Sequence, residues 1–316
     1  MLNYVHGGDI QTYIDRHGFA PLDLSANINP FGIPDAVRAA MHRAVDNCTQ
    51  YPDPFCRAAR QAIGAREGVN PDFLYCGNGA ADVLDRLAAV LKPRKVLLTA
   101  PTFAEYERTL SGAEIRVHNL RETDGFALTE RILDEISPDL DAVYLCNPNN
   151  PTSSAILKDE MRALLSFCAN RDIFVMIDET YVEFAPSVQE VTAVPYTKDF
   201  SNLMVLRGVS KFYAAPGMRF GYGITGNKEF LSQMKEKQIP WSLNSLGAYA
   251  GEQMFKDTSY IRQTRALILT ERDRMFLELK KMSSFKVYFP YGNFILVKIL
   301  KPEVTSFDVF EACIKE

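Results

Sequence analysis

From about residue 72 onward, short runs of consecutive apolar residues alternate with longer stretches whose apolar positions recur every three or four residues. The runs are Phe73–Cys76, Val96–Thr99, Ala142–Cys146, Ile173–Ile177, Leu203–Leu206 and Phe220–Ile224. A strand with one wet face alternates apolar and polar side chains. Strands apolar throughout suit a sheet covered on both faces, as in parallel sheets packed between helices. Between the first two runs, Ala80–Leu91 sets Val83, Leu84, Leu87, Val90 and Leu91 along one helical stripe. The pattern predicts an α/β fold with a mostly parallel sheet flanked by helices.

Both ends of the chain break this rhythm. The first 50 residues are rich in Gly, Pro and Asn (HGGD, SANINPFGIP, YPDP) and read as an arm with connecting loops. After Ser245 the pattern turns helical and then offers a strand at Asn293–Ile299. The expected organisation is an arm at 1–45 that completes part of a small domain, a large domain at 46–250, and a small α+β C-terminal domain at 251–316.

Charge and cysteine usage narrow the function classes. With 35 Lys and Arg against 39 Asp and Glu, the 316-residue chain carries a net charge of -4 and no basic block. Nucleic acid and anionic membrane surfaces are therefore not expected partners. No apolar run approaches the roughly 18 residues of a membrane helix, and MLNYVHGGDI lacks the pattern of a signal peptide. The six cysteines are scattered without a CxxC pair, which favours free thiols over a disulfide frame or a metal site, and so a cytoplasmic location.

Four stretches carry candidate chemistry, each just past a β-run. Ser210-Lys211 is followed eight residues later by Arg219; a lysine at the mouth of a buried sheet has a lowered pKa and becomes an amine nucleophile, and an arginine can grip a phosphate. Asp178 and Tyr181 follow the run IFVMI, where acids face the ligand crevice of a parallel sheet. Asn147-Pro148-Asn149-Asn150-Pro151-Thr152 marks a turn, with room for cis X-Pro bonds. Gly77-Asn78-Gly79-Ala80 opens a helix, where glycine lets the backbone approach an anion. Each is ambiguous alone: a surface Ser-Lys pair, an Asp that caps a helix, a plain turn, a lone GNG.

Their joint order resembles the fold-type I pyridoxal-5′-phosphate (PLP) enzymes, the aminotransferase-like class, over nearly the whole chain. The resemblance implies that Lys211 holds PLP as a Schiff base and that Asp178 faces the pyridine nitrogen. It implies Tyr181 and Asn150 at the ring hydroxyl, and Gly79, Ala80, Ser210 and Arg219 at the phosphate. Phe103 would stack on the ring. Tyr51, in Tyr51-Pro52-Asp53, looks like the tyrosine that such enzymes send into the neighbouring subunit's phosphate site, which implies a homodimer.

Within that class, further stretches resemble the threonine-phosphate decarboxylase family: His6-Gly7-Gly8-Asp9-Ile10, Ser25-Ala26-Asn27-Ile28-Asn29-Pro30, Thr102–Glu107, Lys211–Gly217 and Pro240–Asn244. The resemblance implies decarboxylation of a small phosphorylated amino acid, O-phospho-L-threonine, with His6, Gly7, Asn27 and Asn150 at the substrate. Histidinol-phosphate aminotransferases share the cofactor residues and supply the alternative reaction. A PLP-binding regulatory module is a third reading, disfavoured because no basic DNA-binding extension is present. Two positions depart from the class: Ser153 stands where a glycine usually ends the Asn-Pro-Thr motif, and Gly208 stands where a Ser or Thr phosphate ligand is common. The resemblance implies a chain that continues a few dozen residues past the position of Glu316 and carries there the arginines for the substrate carboxylate, so either the small domain is incomplete, as expected, or carboxylate binding is impaired.

Overall fold

The computed structural model describes residues 7–315 of the chain. Seven strands form one mixed sheet: β1 (Leu74–Gly77), β2 (Lys95–Ala100), β3 (Glu114–Asn119), β4 (Ala142–Cys146), β5 (Phe174–Asp178), β6 (Leu203–Gly208) and β7 (Gly221–Ile224). Their order across the sheet is β1-β7-β6-β5-β4-β2-β3. All neighbouring pairs are parallel except those of β7, which runs antiparallel to both β6 and β1. The carboxyl ends of every strand but β7 therefore meet at one edge of the sheet.

Burial on both faces explains the unbroken apolar runs. Successive side chains on a strand point to opposite faces. Along β4, Val143 and Leu145 enter one core while Ala142, Tyr144 and Cys146 enter the other. The helix Ala80–Leu91 forms with the expected bounds and buries Val83, Leu84 and Leu87. β3 escaped the apolar pattern because it is an edge strand. Glu114, Val117 and Asn119 are exposed and only His118 is buried.

The N-terminal segment is not the loop-only arm expected from its composition; it holds helices at Ile10–His17 and Asp35–Asp46. The first is capped by Asp9, which accepts from the Thr12 amide at 3.1 Å, and ends at Gly18 with φ +80°. The second buries only Val37, Ala40 and Ala44, a stripe of small side chains that a search for bulky residues passes over. It packs on the helix Ser245–Met254.

Beyond the long helix Thr258–Lys280, β8 (Phe285–Val287) pairs antiparallel with β9 (Val297–Ile299). The strand expected over Asn293–Ile299 is thus shorter. Asn293 turns its side-chain amide to the Asn27 carbonyl at 2.9 Å, and the Phe294 ring meets Tyr181 edge-on at 4.9 Å. These residues serve as a bridge to the sheet edge rather than as ladder. Among the described residues, no helix is long and apolar enough to cross a membrane.

Candidate active site

At the carboxyl end of β1 the chain turns through Asn78 and Gly79 into the helix Ala80–Leu91. Gly79 has φ +91°, a conformation that side chains rarely adopt, and a Cβ there would lie 2.2 Å from Nη2 of Arg219. A Cβ on Gly221 would come within 2.3 Å of the Ala80 amide nitrogen. The loop is held by Asn78, whose Nδ2 donates to the Ser242 carbonyl at 2.6 Å and whose Oδ1 accepts from the Asn244 amide at 3.0 Å. Arg219, itself exposed with φ +51°, donates to the carbonyls of Pro216 (3.1 Å) and Asn78 (3.4 Å). A guanidinium beside the N-terminus of a helix makes a cradle for an anion.

Arg219, Ser210 and Lys211 all lie on the loop joining β6 to β7, and Ser210 is half-buried. Lys211 is also half-buried. Its Nζ donates to the Ala26 carbonyl at 2.6 Å, and its own carbonyl accepts from the Asn29 amide at 3.1 Å. Burial lowers its pKa, with Asp23 acting weakly in the opposite sense. The segment 23–29 is thereby laid against the lysine. Asn29 anchors that segment, its buried amide donating to the Phe212 carbonyl, the Tyr260 hydroxyl and the Thr264 hydroxyl. Gly7 abuts it, since a Cβ there would lie 2.3 Å from the Ser25 carbonyl oxygen, and the Gly8 amide donates to Ser25 Oγ at 2.9 Å. His6 lies outside the described residues.

Asp178 closes β5 and pairs in register with Leu206 of β6, the strand that leads to Lys211. It is 5% exposed. Oδ1 accepts from the amide and hydroxyl of Thr180 at 2.9 and 2.6 Å, and Oδ2 accepts from the Tyr106 hydroxyl at 3.0 Å. Burial raises its pKa, and these donors oppose the rise. Tyr181 is buried with the Asn27 side chain beside it, and burial pushes it up to about 12. Asn27 itself has φ +51°. Phe103 meets Tyr106 edge-on at 5.6 Å.

The Asn-Pro loop after β4 contains two cis bonds, Asn147–Pro148 and Asn150–Pro151, and Ala100–Pro101 is also cis. Asn147 is fully buried and ties the loop to Ile156 and Val191. Asn149 joins it to the segment after β2 through the Pro101 carbonyl (3.0 Å) and Thr102 (3.2 Å). Asn150 is half-buried, and its backbone faces the Cys146 thiol.

Comparison with known proteins decides the family. Residues 20–316 match the family described as Aminotransferase class I and II. The chain belongs to this aminotransferase family. It is 35% identical to threonine-phosphate decarboxylase of Salmonella typhimurium over 96% of this chain and 84% of that protein. It is 30% identical to histidinol-phosphate aminotransferase of Methanothermobacter thermautotrophicus over 99% of this chain and 84% of that protein. Among solved structures, histidinol-phosphate aminotransferase of Clostridium acetobutylicum aligns with a TM-score of 0.85 at 30% identity, covering 92% of this chain and 86% of that one.

This aminotransferase-family protein is an enzyme with PLP as its cofactor, and its fold is fold type I. The residues present fit a phosphorylated pyridine aldehyde. A glycine-lined cradle with a guanidinium suits its phosphate, an amine with lowered pKa suits its aldehyde, and a buried carboxylate suits its ring nitrogen. That carboxylate keeps one of about four acceptor positions unused. Tyr51 stands apart from this cluster, 79% exposed, with its ring 4.8 Å from that of Trp241. Tyr106, Thr180 and Asn29 were not singled out from the sequence. Tyr106 lies within the Thr102–Glu107 stretch, but no local pattern tells a core phenol from one aimed at a carboxylate 72 residues away. Among the described residues, no group of three or more His, Cys, Asp or Glu could hold a metal ion.

Proposed function

We propose that the protein decarboxylates O-phospho-L-threonine to (R)-1-aminopropan-2-ol phosphate. The observation that carries this reading is the seating of Ser25-Ala26-Asn27 on the reactive groups: Ala26 takes the Lys211 amine at 2.6 Å, and the Asn27 side chain lies beside the Tyr181 phenol. That segment, with Gly7 locked on Ser25, belongs to the stretches that resemble the decarboxylase family. The 35% identity to the Salmonella enzyme supports the same reading.

Each residue then has a task. Gly79 and Ala80 at the helix N-terminus, with Ser210 and Arg219, would bind the cofactor phosphate. Asp178 would hold the proton at the pyridine nitrogen, Tyr181 and Asn150 would orient the ring through its hydroxyl oxygen, and Phe103 would cover the ring. The bound cofactor supplies an electron sink for the pair released as the bond from Cα to the carboxylate breaks. Lys211 Nζ would hold the cofactor through its aldehyde and would deliver a proton to Cα where the carboxylate leaves. His6 and the Gly7 backbone bind the substrate phosphate, and Asn27 contacts its polar groups. The products are CO2 and the amine, so no oxo acid is consumed.

The working unit in this reading is a homodimer, with Tyr51 completing the partner's phosphate site. Tyr51, Phe55, Ile239 and Trp241 are exposed apolar side chains on the chain by itself, in keeping with cover by a second copy. Six free cysteines, four of them buried, agree with a cytoplasmic setting.

Transamination of histidinol phosphate is the second reading, favoured by the relatives of that name at 30% identity. Two parallel assays separate them: O-phospho-L-threonine alone, and histidinol phosphate with 2-oxoglutarate. CO2 from the first without an oxo acid supports the decarboxylase. Glutamate from the second, with no CO2 from the first, overturns it.

A further inference from the structure

We propose that Tyr106 is a positioning residue that keeps Asp178 ionised, and so keeps a proton on the pyridine nitrogen of the cofactor. The inference rests on the reading that Asp178 faces that nitrogen. Oδ1 of Asp178 is filled by the amide and hydroxyl of Thr180, so Oδ2 carries the remaining acceptor position. Tyr106 donates to that same Oδ2 at 3.0 Å. The phenol and the ring nitrogen would thus share one oxygen.

A proton between a carboxylate and a pyridine nitrogen goes to the stronger base. Burial makes Asp178 more basic than an ordinary aspartate, which pulls the proton off the ring. Donors on the carboxylate work against this. The groups acting on Asp178 are Thr180 from its own segment and Tyr106 from the helix Glu105–Thr109. Cys146 on β4 and Tyr181 also face it, and burial pushes both up to about 12, so they carry no charge near neutral pH. No cation is among these groups. Hydrogen bonds alone must therefore hold the carboxylate in its charged form.

Tyr106 is built for such a task. It is fully buried, and burial raises its pKa well above the ordinary phenol, so it stays a donor across the working range. Phe103 fixes one edge of its ring. The neighbouring Cys146 thiol gives its proton to the Pro148 carbonyl at 3.3 Å and carries no charge near neutral pH.

The test reconstitutes the protein with PLP labelled with 15N in the ring and reads the nitrogen resonance together with kcat and KM. In Tyr106→Phe the resonance should move toward that of a neutral pyridine. Loss of one hydrogen bond to a charged group predicts a fall in kcat of about tenfold with KM nearly unchanged. Fluorotyrosine at position 106, a stronger donor, should move the resonance the opposite way, which a purely structural role would not. Tyr144→Phe is the control, since its buried hydroxyl has no hydrogen-bond partner; it should leave the resonance and kcat as they are. Asp178→Asn separates the two levels of the argument. If it shifts the resonance while Tyr106→Phe does not, the role of Tyr106 is wrong and that of Asp178 stands. An unshifted resonance in Asp178→Asn would overturn the Asp178 reading and the inference together.

Discussion

Lys211 holds its amine half out of water against the Ala26 carbonyl, and burial lowers its pKa from 10.5. A lowered pKa in the folded state means that the unfolded chain binds more protons between the two values, so this group's contribution to stability rises with pH. The destabilising effect is complete below the folded pKa, fades as pH rises through it, and is gone above 10.5. Cofactor-free Lys211→Met should therefore melt above the wild type at pH 7, with the gap closing toward alkaline pH. A gap that stays constant with pH would mean that the amine carries its charge in the fold at no cost. Lys211, Asp178, Gly79 and Arg219 were legible in the sequence because glycines and strand ends punctuate them. Ser153 also becomes intelligible: it has φ +60°, in the left-handed region that favours glycine, and its Oγ accepts from the Gly292 amide at 2.8 Å. Tyr106, Thr180 and Asn29 were not legible, because their importance lies in hydrogen bonds between segments that only folding brings together.

The buried strands were legible for the same reason that they are stable: with both faces covered, each position must be apolar. The edge strand β3 and the alanine-striped helix Asp35–Asp46 bury too little bulk to stand out. One polar feature of the elements was hidden as well. Arg207, on β6, donates to Glu179 at 2.7 Å and to Glu67 at 2.7 Å, with all three side chains nearly out of solvent. This network ties the end of β5 to β6 and to the helix Arg57–Glu67, next to Asp178. Arg207→Leu would leave Glu179 charged, buried and unpaired, and should destabilise the protein by about 3–5 kcal/mol in urea titration. The double change with Glu179→Gln should recover much of that loss. An Arg207→Leu protein as stable as the wild type would mean that the network contributes nothing net.

For the whole molecule, the sheet edge collects the reactive groups while Tyr51 points away from them on the exposed strip with Trp241. A shared-site dimer predicts that inactive Tyr51→Ala and Lys211→Ala chains, mixed so that heterodimers form, regain part of the activity. No recovery in proven heterodimers would argue for self-contained sites. The fold class followed from periodicity and the family from the order of motifs, but the choice of reaction depends on which bond of Cα is set perpendicular to the cofactor ring. The most direct test of that choice is a single turnover of PLP-loaded protein with carboxyl-labelled O-phospho-L-threonine and no oxo acid, following labelled CO2 and the visible absorbance of the cofactor. Decarboxylation predicts one labelled CO2 per site with the aldehyde absorbance restored; lasting loss of that absorbance without labelled CO2 would contradict it.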